Sequence, residues 1–246
     1  MEILVKTASK TVLRDGDVLI KQFDESYPKT DVLNEALNHA RVEDAGLCIP
    51  KVLGVSCNDG KWSIAMEYIE GKTLQQLMDE NPTKTDEYLA LFLEVQIEIN
   101  SKKVPMLSRL RDKMQARISA SGYPQAVRYD LHMRVDGLPK HNKLCHGDLA
   151  PSNIIITPEG EHYIIDWSHA TQGNASADTA RAYINFIIDG KEELAKKYLQ
   201  MYCERTGTDV RYIQSFLPIV AAAYPKKHHE KEAAFLAQWV NVVDWQ

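Results

Sequence analysis

The run His146-Gly147-Asp148-Leu149-Ala150-Pro151-Ser152-Asn153, followed by Ile164-Ile165-Asp166-Trp167, governs the reading of the whole chain. Between the two lie β-rich runs around Pro158-Glu159-Gly160, a sequence suited to a reverse turn. With the turn centred on Glu159 and Gly160, residue 153 falls opposite residue 166, with Cα atoms roughly 4.5–5.5 Å apart in an antiparallel pair. An amide oxygen beside a carboxylate offers two hard ligands, the kind Mg²⁺ takes together with phosphate oxygens and water. Asp148 lies a few residues upstream on an irregular segment. It can serve the same place by accepting the proton of a hydroxyl, without being a metal ligand. Singly, each residue has an ordinary explanation as a turn former, a loop cap or a solvated strand end. Together, at this spacing, they point to a site.

Upstream, residues 11–14 and 17–23 are β-rich runs joined at Asp15-Gly16, a tight-turn dipeptide. From residue 30 to about 46 the pattern turns helical. Leu33, Ala36, Leu37 and Ala40 share one face, Thr30 or Asp31 can cap the start, and Gly46 can stop it. Strands are expected at 51–57 and 62–69 around Asn58-Asp59-Gly60, and a hinge at Glu70-Gly71-Lys72. Beyond the hinge the periodicity is mainly helical: 86–100 with the stripe Leu89, Phe92, Leu93, Gln96 and Ile97, then 107–118, 175–188, 191–204, 209–222 and 230–243. The sum is an α+β chain in two lobes, a small β-rich one and a larger, mainly helical one with an embedded hairpin. A cleft between lobes is a common place for a ligand.

Composition narrows the function. The 246 residues carry 44% hydrophobic and 26% charged side chains, ordinary for a globular enzyme, and a net charge of −5. That mild acidity gives no global reason to expect nucleic-acid or anionic-membrane binding. Cys48, Cys57, Cys145 and Cys203 form no C-x-x-C pair, so no zinc ribbon or thioredoxin-type motif is present, and a reducing compartment is expected. Neither the N-terminus nor the apolar stretch 216–224, interrupted by Pro218, suits a signal peptide or a membrane span, so a cytoplasmic protein is expected. Lys226, Lys227, His228, His229 and Lys231 read as a solvated basic face. Phe235, Leu236, Trp239 and Trp245 read as an apolar helical stripe.

The His146–Asn153 and Ile164–Trp167 segments resemble the catalytic and metal-binding loops of the aminoglycoside phosphotransferase and choline kinase group, relatives of the protein kinases. Protein kinases carry H-R-D and D-F-G here. This chain carries His146-Gly147-Asp148 and Asp166-Trp167-Ser168, which favours small-molecule acceptors over proteins. The resemblance implies that Asp148 is the catalytic base, that Asn153 and Asp166 hold Mg²⁺, and that ATP or GTP is the donor. It extends to Lys21 as the cation at the nucleotide phosphates, with Lys29 as a rival, and to Glu35 as its acidic partner. Ser9, in a phosphate-covering segment over 6–11 that lacks glycines, is expected near a phosphate. Met66, Glu67 and Ile69 match the inter-lobe connector that pairs with the base through backbone groups of Glu67 and Ile69, and Ile155 and Ile165 match the apolar floor beneath it. His146 is expected to brace the loop, and Asp178, in Gly173-Asn174-Ala175-Ser176-Ala177-Asp178, to support it, although a helix N-cap suits Asp178 equally. The implied division is a nucleotide-binding lobe at 1–69, with a connector near 66–71, and a catalytic and substrate-binding lobe at 70–246. Aminoglycosides come first among acceptors, lined by carboxylates such as Glu192, Glu193, Glu204, Asp209, Glu230 or Asp244. Choline, ethanolamine, a sugar or homoserine remain open. Intact Asp148, Asn153 and Asp166 argue against a silent nucleotide-binding regulator. No nucleic-acid or membrane partner is expected, and the oligomeric state is not legible.

Overall fold

The computed structural model describes residues 1–224 and 236–240. In chain order the elements are β1 (Glu2–Lys6), β2 (Lys10–Asp15), β3 (Val18–Phe23), α1 (Lys29–Glu43), β4 (Val52–Asn58), β5 (Lys61–Glu67), β6 (Lys72–Thr73) and α2 (Leu74–Glu80). There follow α3 (Thr85–Ser101), α4 (Leu110–Ser119), α5 (Gln125–Gly137), β7 (Lys143–Cys145), β8 (Ile154–Ile156), β9 (His162–Ile164) and β10 (Thr171–Gly173). Then come α6 (Ala175–Ile188), α7 (Glu192–Thr206), α8 (Val210–Gln214) and α9 (Leu217–Ala222), and residues 236–240 are helical. This is the α+β pattern that the sequence implies, β-rich at the start and mainly helical later.

The chain forms two compact units. One contains Met1–Tyr88 and Pro151–Ala170, the other Leu89–Ala150 and the described residues from Thr171 onward. In the first unit β1 to β5 form an antiparallel sheet in the order β1-β2-β3-β5-β4. Phe23, Val32, Ala36 and Ile64 make its core, so the inner side of β3 and β5 packs on α1. A second, three-stranded sheet, β6-β8-β9, carries the hairpin that was read from the sequence. In the second unit Phe92, Phe186 and Tyr198 stack with ring centroids 5.5–5.6 Å apart. The Tyr198 hydroxyl bonds Gln96 Oε1, and Gln96 Nε2 bonds Thr179 Oγ1 at 3.0 Å, so the polar atoms in that core are satisfied. Trp239 meets Tyr183 edge-on at 6.1 Å, consistent with packing as its role.

Several local expectations change. β1 occupies residues read only as an unremarkable N-terminus, and the segment 6–11 shrinks to a turn at 7–9 between two strands. Every β1 side chain is exposed, so the strand lacks the alternation that marks a half-buried strand. In α1 the buried face is Val32, Glu35, Ala36, Asn38, His39 and Val42, whereas Leu33 and Leu37 are exposed. The helix turns its polar residues inward because they have partners there: Glu35 pairs with Lys21, and His39 Nε2 meets Pro50 O at 2.5 Å. Pro28 occupies the N-cap with no side-chain bond, so neither Thr30 nor Asp31 caps the helix, and it ends at Glu43, before Gly46. The helix expected over 209–222 is two, α8 and α9, and α2 and α5 went unread. The basic run and most of the helix expected over 230–243 lie outside the described residues.

Candidate active site

The first unit gathers Lys21, Glu35 and Asp166. Lys21 sits mid-strand in β3, between Val12 of β2 and Ile64 of β5, and is 7% exposed. Its ammonium bonds the Glu35 carboxylate on α1 and lies 3.5 Å from Asp166 Oδ1. Burial by itself would lower the Lys21 pKa, but Asp166 and Glu35 outweigh it and hold the ammonium above its ordinary value. Lys29, the rival, lies over the Trp62 ring instead, 5.1 Å from its centroid. Lys10, which sequence reasoning missed, places its ammonium 3.9 Å from Asp166 Oδ2. Burial, reinforced by the charge of Lys21, lowers the Lys10 pKa. Two cations therefore meet one carboxylate.

Asp166 reaches them through its backbone. The hairpin pairs Ile154 with Ile164, Ile155 with Tyr163 and Ile156 with His162. That register sets Asn153 against Ile165, whose N–H donates to Asn153 O at 3.0 Å, and the expected pairing of Asn153 with Asp166 is one residue out. The turn is centred on Glu159 alone, because Thr157 and Glu161 close it as a five-residue loop. By alternation Asp166 would share the buried face of Ile164. Instead it adopts a left-handed conformation, φ 65°, which turns it out of the strand alternation. Ser168 Oγ donates to Asp166 Oδ1 at 3.0 Å, and Asn38 Nδ2 ties α1 to Ser168 O at 3.3 Å. Trp167 is buried below, its Nε1 donating to Ile164 O at 3.1 Å. Among the described residues no group of three or more His, Cys, Asp or Glu is arranged to hold a metal ion. Asp166, and Asn153 opposite the residue before it, each offer an oxygen of the type Mg²⁺ takes, since that ion commonly uses one or two protein oxygens and completes its shell with phosphate oxygens and water.

The expected nucleotide contacts lie in the same unit. Met66 pairs with Leu19 and Val52 at the end of β5. Glu67 N–H is taken by Lys51 O at 3.0 Å, so this residue can meet a base only through its carbonyl. Ile69 follows β5 in the connection to β6. Ile155 and Ile165 share with Asn153 the half-exposed face of the hairpin, opposite the buried Ile154 and Ile164. Ser9 lies in the 7–9 turn, its carbonyl accepting Asp24 N–H at 3.0 Å.

The second unit builds the loop that carries Asp148. β7 pairs with β10, Leu144 N–H donates to Lys102 O at 2.8 Å, and Asn100 Nδ2 donates to Leu144 O at 2.9 Å. Asp178, one turn into α6 and 3% exposed, accepts His146 N–H at 2.7 Å and Gly147 N–H at 2.9 Å. Gly147 has φ 80°, a conformation glycine takes at little cost, and with it both N–H groups meet one carboxylate. Burial pushes the Asp178 carboxyl up, opposed by His146 and by these hydrogen bonds. Asn174, not Asp178, caps α6. His146 is fully buried, and its Nδ1 accepts Asp148 N–H at 3.3 Å.

Asp148 then meets a residue that the sequence did not mark. Arg181, one turn beyond Asp178, donates to Asp148 Oδ1 from Nη2 at 3.0 Å and from Nε at 3.3 Å. A position three residues after Asp178 is on the same helix face, and that spacing is the only signal that could have found it. The carboxylates proposed for a polycationic acceptor are engaged elsewhere: Glu193 pairs with Lys196, Glu204 with Gln200, and Asp209 caps α8. Glu192 is exposed in the first turn of α7, and Glu230 and Asp244 lie outside the described residues.

The profile of the phosphotransferase enzyme family matches residues 5–213. The chain belongs to this family. Solved structures of aminoglycoside and choline kinases share the fold of this phosphotransferase. A thermostable mutant of aminoglycoside phosphotransferase APH(4)-Ia, in ternary complex with AMP-PNP and hygromycin B, gives a TM-score of 0.71 at 15% identity, over 98% of this chain and 91% of that one. Choline kinase LicA from Streptococcus pneumoniae gives 0.63 at 18% identity, over 97% and 90%. An aminoglycoside-3'-phosphotransferase of type VIII gives 0.62 at 15% identity, over 91% and 92%. No curated protein matches the sequence. Among the described residues of this phosphotransferase, no helix is long and apolar enough to cross a membrane.

Proposed function

We propose that this phosphotransferase moves the γ-phosphoryl group of ATP or GTP to a hydroxyl of a small molecule. The observation that carries the reading is the convergence of Lys21 on Glu35 and Asp166. A buried cation anchored by one carboxylate and aimed at a second suits the phosphates of a nucleotide donor. Lys21 would bind phosphate oxygens, with Glu35 fixing its direction, and Ser9 would approach from the turn above. Met66, the Glu67 carbonyl and Ile69 would take the base over Ile155 and Ile165. Asn153 and Asp166 would hold Mg²⁺, whose charge neutralises and orients donor phosphates.

Asp148 accepts the proton of the acceptor hydroxyl in this reading. The acceptor oxygen bonds the γ-phosphorus as the bond to the bridging oxygen breaks, and the nucleoside diphosphate leaves. Asp178 and His146 keep Asp148 on its loop, and Arg181 fixes its Oδ1. Positioning and electrostatics supply most of the rate in such a transfer. Kinship of fold with APH(4)-Ia puts aminoglycoside-like acceptors on the panel, beside amino alcohols, sugars and homoserine.

The test is a coupled assay with purified protein and that panel. Asp148→Asn should keep Mg-nucleotide binding and lower kcat by roughly 10²–10⁴. Asp166→Ala should weaken nucleotide binding only when magnesium is present. Unchanged turnover in the first variant, or unchanged metal-dependent affinity in the second, would overturn the assignment.

A further inference from the structure

The turn at 7–9 spends part of its hydrogen-bonding capacity on itself. Thr7 N–H donates to Lys10 O at 2.9 Å, and the Thr7 hydroxyl donates to the same carbonyl at 3.1 Å. Lys10 N–H donates back to Thr7 Oγ1 at 3.2 Å. Ser9 O accepts Asp24 N–H at 3.0 Å, which ties the turn to the residue after β3. A glycine-rich loop covers phosphates with backbone N–H groups that are free to face them. This turn contains no glycine, and its Thr7 and Lys10 N–H groups are engaged within it. A nucleotide held beside such a turn depends more on side chains for its counter-charge.

Strand register supplies such a side chain. Lys10 pairs with Phe23 and Val12 with Lys21, so both lysines lie on the sheet face that packs Phe23 and Ile64 on α1. They are diagonal neighbours, with Cα atoms roughly 7–8 Å apart, within reach of long side chains. Their ammonium groups take different oxygens of one carboxylate: Lys21 lies 3.5 Å from Asp166 Oδ1 and Lys10 3.9 Å from Oδ2. The two are not held alike. Lys21 is also bonded to Glu35, and its side chain is 9% exposed. The Lys10 side chain is 30% exposed, and its contact with Asp166 is longer than a hydrogen bond.

We infer that Lys10 is a second cation of the donor site and binds the γ-phosphate, supplying from a side chain what a glycine-rich loop supplies from its backbone. This rests on the placement of the nucleotide at Lys21 and Asp166 proposed above. A strand lysine braced by a helix carboxylate, as Lys21 is by Glu35, meets the α- and β-phosphates. Lys10, at the other oxygen of Asp166, serves the phosphate beyond them. A cation placed on Asp166 would repel the Lys10 ammonium, and the phosphate oxygens that accompany it would attract it. On the γ-phosphate a lysine acts as a point charge, and it offsets negative charge on the group being transferred.

Calorimetric titration of the full chain tests this with two nucleotides. Lys10→Met should raise Kd for Mg-AMP-PNP roughly ten- to a hundred-fold and Kd for Mg-ADP by less than about threefold. Lys10→Arg, which keeps the charge, should recover part of the loss. A lysine that only neutralised Asp166 would change both affinities alike, because the metal accompanies both nucleotides. Equal weakening of the two, or unchanged affinity for Mg-AMP-PNP, overturns the inference.

Differential acylation of lysines in the wild-type chain, read by peptide mapping, needs no variant to fold. Mg-AMP-PNP should protect Lys10 more than Mg-ADP does, whereas the two should protect Lys21 alike. Equal or absent protection of Lys10, with Mg-AMP-PNP bound, overturns this inference alone. Absence of any Mg-nucleotide binding by the wild-type chain would instead overturn the proposed function.

Discussion

A single carboxylate shows how the candidate site is held. Asp178 is wholly buried, and two backbone N–H groups converge on it. Asp178→Ala would leave both N–H groups without their acceptor, and burial of such groups is expensive. The expected loss is about 2–4 kcal/mol in urea unfolding, together with a fall in kcat larger than any change in KM for the nucleotide. An unfolding curve superimposable on wild type would show that the loop does not depend on this residue. The sequence marked Asp178 but left its role open between loop support and helix cap. The cap is Asn174, and the carboxylate meets His146 and Gly147. Arg181 carried no mark at all, because an arginine on a helix is ordinarily a surface residue, and the approach of the Asp148 loop gives this buried one a carboxylate partner.

At the scale of elements, one close approach supports the hairpin. Gly71 precedes β6, and a Cβ there would collide with the backbone carbonyl of Ile156 in β8, closely enough that the strands would have to part. A side chain can move aside, whereas a paired backbone cannot without losing its hydrogen bonds. Gly71→Ala should therefore cost about 1–3 kcal/mol of stability, read as a fall in the unfolding midpoint. It should also weaken Mg-nucleotide binding, because β8 leads from Asn153 and β9 toward Asp166. A neutral result would show that β6 is dispensable to the hairpin. The sequence located this hairpin and its turn, but the register came out one residue away. A five-residue loop and a two-residue turn look alike in a stretch of proline, glutamate and glycine.

The whole molecule registers the half-buried Lys113 as a pH dependence. Burial, with the charges of Arg117 and Arg181 adding to it, pushes the Lys113 ammonium down to about 7 in the folded protein, against about 10.4 in an unfolded chain. Between these values the unfolded chain binds a proton that the folded one does not, so this residue makes stability rise with pH across that window. Arg117 and Arg181 act on it in one direction and Asp178 and Asp148 in the other, and all four remain in a Lys113→Met variant. The variant should be more stable than wild type at pH 7, and the difference should shrink as pH approaches 10. A difference constant from pH 7 to 10, from denaturant unfolding at several pH values, would show that the ammonium is not desolvated. Lys21 behaves oppositely. Its raised pKa gives stability that is complete below about pH 10.4 and lost only above it, as the folded group deprotonates, so the two lysines occupy separate windows.

The sequence by itself determined the α+β class and the kinship with phosphotransferases. It marked Lys21, Glu35, Asp148, Asn153, Asp166 and Asp178 as candidates, Asn153 and Asp166 through hairpin spacing and the others through the family resemblance of their motifs. Tertiary structure alone decided which face of α1 is buried, the left-handed turn at Asp166, and the meeting of Arg181 with Asp148. Those depend on partners far along the chain. A charged side chain turns inward only where another element supplies its counter-charge, and no local periodicity records that partner.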